Sequence, residues 1–257
     1  MADFGMRVLL VSDLHYDLRK LDWVLARVAD PVTAIDVAVL AGDFLDIASP
    51  VPLDAQITVI LSYLERIAGR VPTVVCSGNH DLDTRTVSGE KATRWLDEAR
   101  AHGVVIDGDS LDQGAWRVTA CAWWEGPETL SALEARLDLA AADRPAHWAW
   151  AFHGPPEGPL AWTGSKHYGD PELPRLLDAY NPDVVLCGHI HQAPFVAEGG
   201  WAEHRGQTWL FNAGFQLGNQ PTCIELDLDT RTATWQSGMG MRVLSFGSPD
   251  SQAVVGQ

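Results

Sequence analysis

The sequence predicts an α/β fold in which two β-sheets pack face to face and helices cover their outer sides. Two observations lead to this prediction. In the first half of the chain, short β-branched apolar segments alternate with segments of helical periodicity. After about Val104 the candidate strands outnumber the candidate helices, which indicates a second sheet facing the first. Periodicity alone does not fix the number of layers.

The candidate elements are short and are bounded by glycine and polar residues. Strands are predicted at 8–11, 37–41, 73–76, 104–106, 116–122, 149–152, 184–187, 208–211, 222–228, 232–235 and 241–246. Helices are predicted at 18–28, 53–68, 89–101, 128–141 and 171–179. The segment 154–169 is rich in proline and glycine and is predicted to be a loop.

The chain has 257 residues, of which 46% are hydrophobic, enough to bury the core of one large domain. We predict a single domain over 1–246 and a disordered tail over 247–257. The cysteines are scattered without a C-x-x-C pair, so disulfides are not expected. Because we find no charged leader and no apolar span of about 18 residues, the expected location is the cytoplasm.

The charge of the chain restricts its partners. The formal net charge is -16, from 18 Lys+Arg and 34 Asp+Glu. This surplus opposes binding to nucleic-acid polymers and to anionic membranes, whereas a small phosphate ester could still approach a site that holds divalent cations. The expected partner is therefore a small phosphate-ester substrate, and the oligomeric state stays open.

Five apolar segments share one feature, which is that each ends on residue types that bind metals. These residues are Asp13 and His15, Asp43, Asn79 and His80, His153, and His189 and His191. Ligands of open α/β sheets bind just beyond the carboxyl ends of the strands, so these side chains are expected to converge on one rim. A single histidine beside a strand is usually structural, but five such coincidences favour a metal site.

A pair of divalent metals needs carboxylates for charge, neutral imidazoles for affinity and one bridging carboxylate. If the chain stays extended in S-D-L-H, Asp13 and His15 point to the same side. Asp43 is then the natural bridging group. Asn79 can donate an amide oxygen to the second ion, and His189 and His191 can each serve one ion.

In this order, the motifs S-D-L-H, A-G-D-F-L-D, G-N-H-D, F-H-G and G-H-I-H resemble those of the calcineurin-like metallophosphoesterase superfamily. The resemblance implies a four-layer α/β/β/α sandwich of two mixed sheets. It also implies two divalent metal ions, which could be Mn, Fe, Zn, Co or Ni. The implied ligands are Asp13, His15, Asp43 and His191 for one ion, and Asp43, Asn79, His153 and His189 for the other.

The resemblance also implies a mechanism, in which a hydroxide bridging the two ions attacks phosphorus. His80 would then meet the phosphate or the leaving oxygen as a cation or general acid, and Asp81 would orient the His80 ring. Substrate contacts from flanking loops are a further hypothesis, for which core packing or solvation is the alternative in each case. The residues in question are Trp123, Trp124, Trp162, Lys166 and His167.

The leading functional hypothesis is hydrolysis of a small phosphodiester such as a cyclic nucleotide. Compact size, G-N-H-D and G-H-I-H resemble the cyclic-nucleotide phosphodiesterase branch. A phosphomonoesterase or protein serine/threonine phosphatase is the main alternative, because the same centre serves both ester types. A nuclease is disfavoured by the shortage of basic residues, and an inactive scaffold by the intact ligand set.

Overall fold

The computed structural model describes residues 6–247. These residues form fourteen strands, four α-helices and three 3₁₀ helices. The strands are β1 (Arg7–Val11), β2 (Val37–Ala41), β3 (Thr73–Cys76), β4 (Thr84–Arg85), β5 (Lys91–Ala92), β6 (Ser110–Gln113), β7 (Trp116–Cys121), β8 (His147–Phe152), β9 (Val184–Cys187), β10 (Ala202–Arg205), β11 (Thr208–Asn212), β12 (Cys223–Asp227), β13 (Thr232–Ser237) and β14 (Gly240–Ser245). The α-helices are α1 (Leu18–Ala29), α2 (Leu53–Ala68), α3 (Pro127–Ala142) and α4 (Leu173–Tyr180), and 3₁₀ helices cover Trp95–His102, Pro159–Ala161 and Ala193–Phe195.

Two mixed six-stranded sheets form the centre of the fold. The first sheet has the order β14-β13-β12-β1-β2-β3, and the second has the order β10-β11-β9-β8-β7-β6. Strands β1, β2 and β3 run parallel, as do β7, β8, β9 and β11, while the outer strands are antiparallel. A separate hairpin joins β4 to β5. The carboxyl ends of the parallel strands therefore form one rim.

Alternating side chains of β1 show how the layers are built. Val8 and Leu10 pack into the core between the two sheets. Leu9 and Val11 point the other way and pack under α1 and α2, against residues such as Leu21. Because successive residues of a strand face opposite sides, a continuous apolar strand can serve both cores at once.

The second sheet is covered on its outer face by α3 and α4. Leu133 and Leu137 of α3 and Leu176 of α4 pack against Trp148 and Trp150 of β8. Both tryptophans are fully buried. The predicted four-layer α/β/β/α sandwich of two mixed sheets is thereby confirmed.

Several predicted elements differ from the structure. The helix predicted at 89–101 is replaced by β5 and the 3₁₀ helix Trp95–His102, since Gly89 adopts a left-handed conformation (φ 91°) and the chain turns back on β4 there. The predicted strand 104–106 forms only an isolated bridge from Val105 to Val74. Strands β12 to β14 extend the first sheet and not the second, because β12 pairs with β1.

Three further features concern the helices, the cysteines and the end of the chain. No helix among residues 6–247 is long and apolar enough to cross a membrane. The four cysteines are all buried and unpaired, as expected from the sequence. The predicted disordered tail lies outside the described residues except for Gly247.

Candidate metal centre

The rim at the carboxyl ends of the strands brings six of the seven predicted metal ligands together, all except Asn79. Loops after β1, β2, β3, β8 and β9 place Asp and His side chains in three overlapping clusters, within each of which the ligand atoms all lie within 4.8 Å of one another. The first cluster is Asp13, His15 and His191, the middle cluster is His15, Asp43 and His80, and the second cluster is Asp43, His153 and His189. Asp43 and His15 each belong to two clusters.

In the first cluster, the imidazole nitrogens and the carboxylate oxygens point towards one another. His191 Nε2 lies 3.1 Å from Asp13 Oδ1 and 3.2 Å from His15 Nε2. His15 Nε2 is also 3.9 Å from Asp13 Oδ1 and 3.9 Å from Asp43 Oδ2. Asp13 is fully buried. A divalent cation satisfies such a group of converging imidazoles and carboxylates.

In the second cluster, His153 has the ring orientation that a metal ligand needs. Its Nδ1 lies 2.6 Å from the carbonyl oxygen of Ala41 and donates to it, so that Nε2 is the nitrogen left to bind a metal. Nε2 is 3.3 Å from Asp43 Oδ2 and is buried without a hydrogen-bond partner. The Asn79 side-chain oxygen is likewise buried and unpartnered among the described residues. Such orphaned acceptors fit a cation.

Burial adjusts the protonation of the imidazoles. It lowers the pKa of His189 to about 4 and also lowers the pKa of His15. Both rings are therefore neutral at pH 7, which is the form that binds metals. Although burial opposes charge on both groups of the Asp43–His153 pair, their mutual attraction raises the pKa of His153 and lowers that of Asp43. A divalent cation would displace the proton that this pair attracts.

Four of these residues have left-handed backbone conformations. The φ angles are 55° for Asp13, 43° for His15, 58° for Asp43 and 68° for His189. Such conformations cost about 1–3 kcal/mol each in residues other than glycine and cluster at functional sites. The chain at S-D-L-H is therefore not extended, contrary to expectation. Backbone N–H groups of Asp13 and His15 instead donate to the carbonyls of Gly42 and Asp43, which locks the two loops together.

Two glycines allow the close approach of these loops. A Cβ atom on Gly78 would overlap the Asp43 side chain, and one on Gly188 would overlap Ser12 and lie 2.5 Å from Asp13 Oδ2. Both motif glycines are thus needed because the loops from different strands touch there.

Asp81 has a different role from the one expected. Its buried carboxylate accepts backbone N–H groups of Asp43 and Gly78 on Oδ2 (both 2.8 Å) and of Phe44 and Leu45 on Oδ1 (2.8 and 3.1 Å). The ring of His80 donates no hydrogen bond to this carboxylate among the described residues, and His80 Nδ1 is buried and unpartnered. Asp81 therefore holds the Asp43 loop through backbone hydrogen bonds, while a contact with the His80 ring is not seen among the described residues.

Replacing Asp81 with asparagine is expected to destabilise the metal-free protein. The amide NH2 group would face two backbone donors, and each orphaned buried donor costs about 1–3 kcal/mol. Urea unfolding would measure this loss. Asp46→Asn is the matched control. Among the described residues the Asp46 carboxylate accepts only the Ala48 N–H, at an exposed turn, so this change should alter stability by less than about 1 kcal/mol. Equal midpoints for the two variants would contradict the role of Asp81.

Two residues beside the first cluster, Lys20 and Phe215, belong to none of the sequence motifs. Lys20 is only 2% exposed, and its Nζ lies 3.5 Å from the centre of the Phe215 ring. Phe215 stacks on His191, with ring centres 4.7 Å apart. Burial lowers the pKa of Lys20 to about 8. The burial of Lys20 could have been predicted from the helical spacing, because Lys20 lies four residues before Val24 on the buried face of α1.

Asn212 supports the loop that carries His189 and His191. Its side-chain NH2 donates to the carbonyls of Ile190 and Leu160, both at 3.0 Å, and its oxygen accepts the Gly214 N–H. This buried side chain therefore ties the turn between the two histidines to the proline-rich loop after β8.

The flanking residues singled out in the sequence divide into two groups. Trp123 lies beside the second cluster, with its ring centre 5.6 Å from that of His153 and 5.3 Å from that of His189. The others make contacts within or between loops. Trp124 donates to Asp170, Trp162 packs on His167, and the Lys166 ammonium lies 4.8 Å from the Tyr168 ring centre.

Solved structures share the fold of this chain. TT1561 of Thermus thermophilus is 17% identical, with 91% of this chain and 99% of that chain covered and a TM-score of 0.63. Purple acid phosphatase PPD1 from yellow lupin (Lupinus luteus) seeds is 15% identical, with 97% and 52% covered and a TM-score of 0.54. GAP50, the anchor in the inner membrane complex of Plasmodium, is 9% identical, with 97% and 87% covered and a TM-score of 0.51. Identities this low show the fold alone.

Sequence comparison identifies the family. No curated protein matches the chain. The sequence profile described as calcineurin-like phosphoesterase matches residues 6–193, a span that contains all five motifs. This confirms the predicted superfamily, while the cyclic-nucleotide branch stays a prediction. Because the match covers more than half of the chain, the protein belongs to the calcineurin-like phosphoesterase family and is a metal-dependent phosphoric ester hydrolase.

Proposed function

We propose that the protein hydrolyses a small phosphodiester, such as a cyclic nucleotide, at a centre of two divalent cations. The position of Asp43 supports the two-cation centre of this proposal, because its Oδ2 lies 3.9 Å from His15 Nε2 on one side and 3.3 Å from His153 Nε2 on the other. One carboxylate oxygen thus belongs to both halves of the centre. The proposed ligands are Asp13, His15, Asp43 and His191 for one ion, and Asp43, Asn79, His153 and His189 for the other.

Two divalent cations would supply Lewis-acid stabilisation of the phosphoryl charge and activation of a water molecule. The chain supplies the positioning. Asp81 holds the backbone of the Asp43 loop, and the Ala41 carbonyl holds the His153 ring. Preformed geometry of this kind lowers the reorganisation that accompanies the reaction.

His80 is the proposed proton donor to the leaving oxygen. Its backbone N–H donates to Asp43 Oδ1 at 2.9 Å, and its ring centre lies 4.8 Å from that of His15. The ring therefore stands at the edge of the centre, where a substrate phosphate would bind. A histidine placed there can transfer a proton as the ester bond breaks.

Charge and cysteine chemistry support a small substrate in a reducing compartment. The net charge of -16 repels long polyanions more than a single ester. Four buried, unpaired cysteines are typical of the cytoplasm, where we place the protein.

Paired chromogenic esters test the proposed function. Protein reconstituted with Mn²⁺ should cleave bis-p-nitrophenyl phosphate with a higher kcat/KM than p-nitrophenyl phosphate, and should lose this activity when a chelator removes the metal. A panel of 2',3'- and 3',5'-cyclic nucleotides, linear dinucleotides and phosphopeptides then defines the natural ester. A preference for the monoester would replace the proposal with a phosphatase, and activity that survives complete metal removal would reject the centre itself.

A further inference from the structure

A cavity of about 380 Å³ lies on the same rim as the metal centre. Its walls come from the loops after β3 and β7, the β4–β5 hairpin, the 3₁₀ helix Trp95–His102 and α3. Two wall residues connect it to the centre. Ser77 directly precedes Gly78, whose backbone touches Asp43, and the Trp123 ring packs against those of His153 and His189. We call this space the side cavity.

The side of the cavity nearest the centre is fixed by hydrogen bonds. The Ser77 hydroxyl accepts the backbone N–H of Trp123 at 2.9 Å. The Ser77 backbone N–H in turn donates to Asp107 Oδ1 at 2.8 Å. Because these bonds join the loops after β3 and β7, the position of Trp123 relative to the proposed ligands is set before any substrate binds.

Two donor groups line the side cavity and make no hydrogen bond or ion pair with the described residues, namely the buried Thr93 hydroxyl and the guanidinium of the exposed Arg136. Arg136 takes no part in the ion pairs among residues 6–247, which use other arginines. Its stem is packed over Gly108, where a Cβ atom would come within 3.1 Å of Arg136 Cγ. An unpaired guanidinium and an unpaired hydroxyl can both donate to a ligand.

The charges of the side cavity nearly cancel. Two arginines line it together with the carboxylates of Asp97, Asp107 and Glu128. One of these arginines, Arg100, is already paired with Asp97 and Asp109. A ligand with a second phosphate would meet this acidic lining at a cost, whereas a neutral group with hydroxyl or amide functions matches the mixture of donors and acceptors.

We propose that the side cavity binds the organic group of the phosphodiester, and that this group is neutral and bears hydroxyl or amide functions, as a sugar or nucleoside does. Arg136 and Thr93 donate to it, Asp107 accepts from it, and Trp123 offers an aromatic face. This inference rests on the proposed function, since it names the kind of ester that the same centre cleaves.

Esters that share one leaving group test the side cavity. We compare the p-nitrophenyl ester of thymidine 5'-phosphate with p-nitrophenyl phenylphosphonate and p-nitrophenyl phosphorylcholine, in the Mn²⁺-loaded protein. Arg136→Met and Thr93→Val should each lower the ratio of kcat/KM for the thymidine ester to that for the phenylphosphonate, through KM, by about tenfold for Arg136→Met. Arg70→Met, an exposed arginine outside the cavity, should leave the ratio unchanged.

Calorimetry separates this inference from the proposed function. Thymidine 5'-monophosphate should bind the unaltered protein and should bind Arg136→Met about tenfold more weakly. Binding that depends on Arg136 without cleavage of any ester would reject the proposed function and keep the side cavity. Cleavage with unchanged ratios and unchanged binding in both variants would reject the side cavity and keep the proposed function.

Discussion

Replacing Asp43 with asparagine is expected to remove bound metal and to reduce turnover by about a hundredfold or more. The Asp43 carboxylate lies between the two clusters, so a neutral amide would withdraw negative charge from both cation positions at once. The fold should survive, because asparagine tolerates the left-handed conformation that Asp43 has (φ 58°). Elemental analysis of the purified variant would measure the metal content.

The matched control for this variant is Asp36→Asn. Asp36 directly precedes β2, whereas Asp43 follows the opposite end of that strand. Asp36 accepts the backbone N–H of Arg7 at 2.8 Å, far along the strand from the rim. The control should keep the full metal content and activity. Retention of two ions with unchanged affinity by Asp43→Asn would contradict the bridging position.

The strands that carry the site could be predicted because their burial is complete. Strands β2, β3 and β9 have the bounds expected from sequence, and each is buried throughout. A strand covered on both faces has a continuous apolar sequence that ends where the chain meets solvent. The residues that follow such a strand lie on the rim, which is why Asp43 could be placed beside the other motif residues.

The missed strands lack that signal. Strand β6 has the sequence SLDQ and β10 the sequence AEHR, and neither is fully buried. Both lie at the edges of the second sheet, where polar side chains prevent pairing with other molecules. Edge strands of this kind are defined by their neighbour and not by their own apolar pattern, so only the folded structure shows them.

The role of Asp81 shows a second limit of sequence. The family resemblance implied that Asp81 orients the neighbouring His80 ring, but neighbours in sequence need not face each other. The carboxylate instead accepts N–H groups from a loop thirty-six to thirty-eight residues earlier. The three donors belong to consecutive residues at a left-handed turn (φ 58° at Asp43), and a contact across so many residues cannot be read from neighbours in sequence.

Replacing His80 with alanine is expected to keep both metal ions and to lower turnover by about 10²–10⁴-fold, the range of a lost proton donor. The loss should depend on the leaving group. Esters of p-nitrophenol need little help from an acid and should be affected least, whereas esters of simple alcohols should be affected most. Steady-state rates over a series of phosphodiesters with leaving groups of increasing basicity would measure this dependence.

His102→Ala is the matched control for His80→Ala. His102 is exposed at the end of the 3₁₀ helix Trp95–His102, and its Nδ1 lies 3.4 Å from Glu65 Oε1 of α2. It should change neither metal content nor rate. His80 also belongs to the middle cluster with His15 and Asp43, so metal content decides between its two possible roles. If His80→Ala loses metal as Asp43→Asn does, His80 is a ligand. If both ions stay and all esters slow equally, His80 stabilises the phosphate as a cation and transfers no proton.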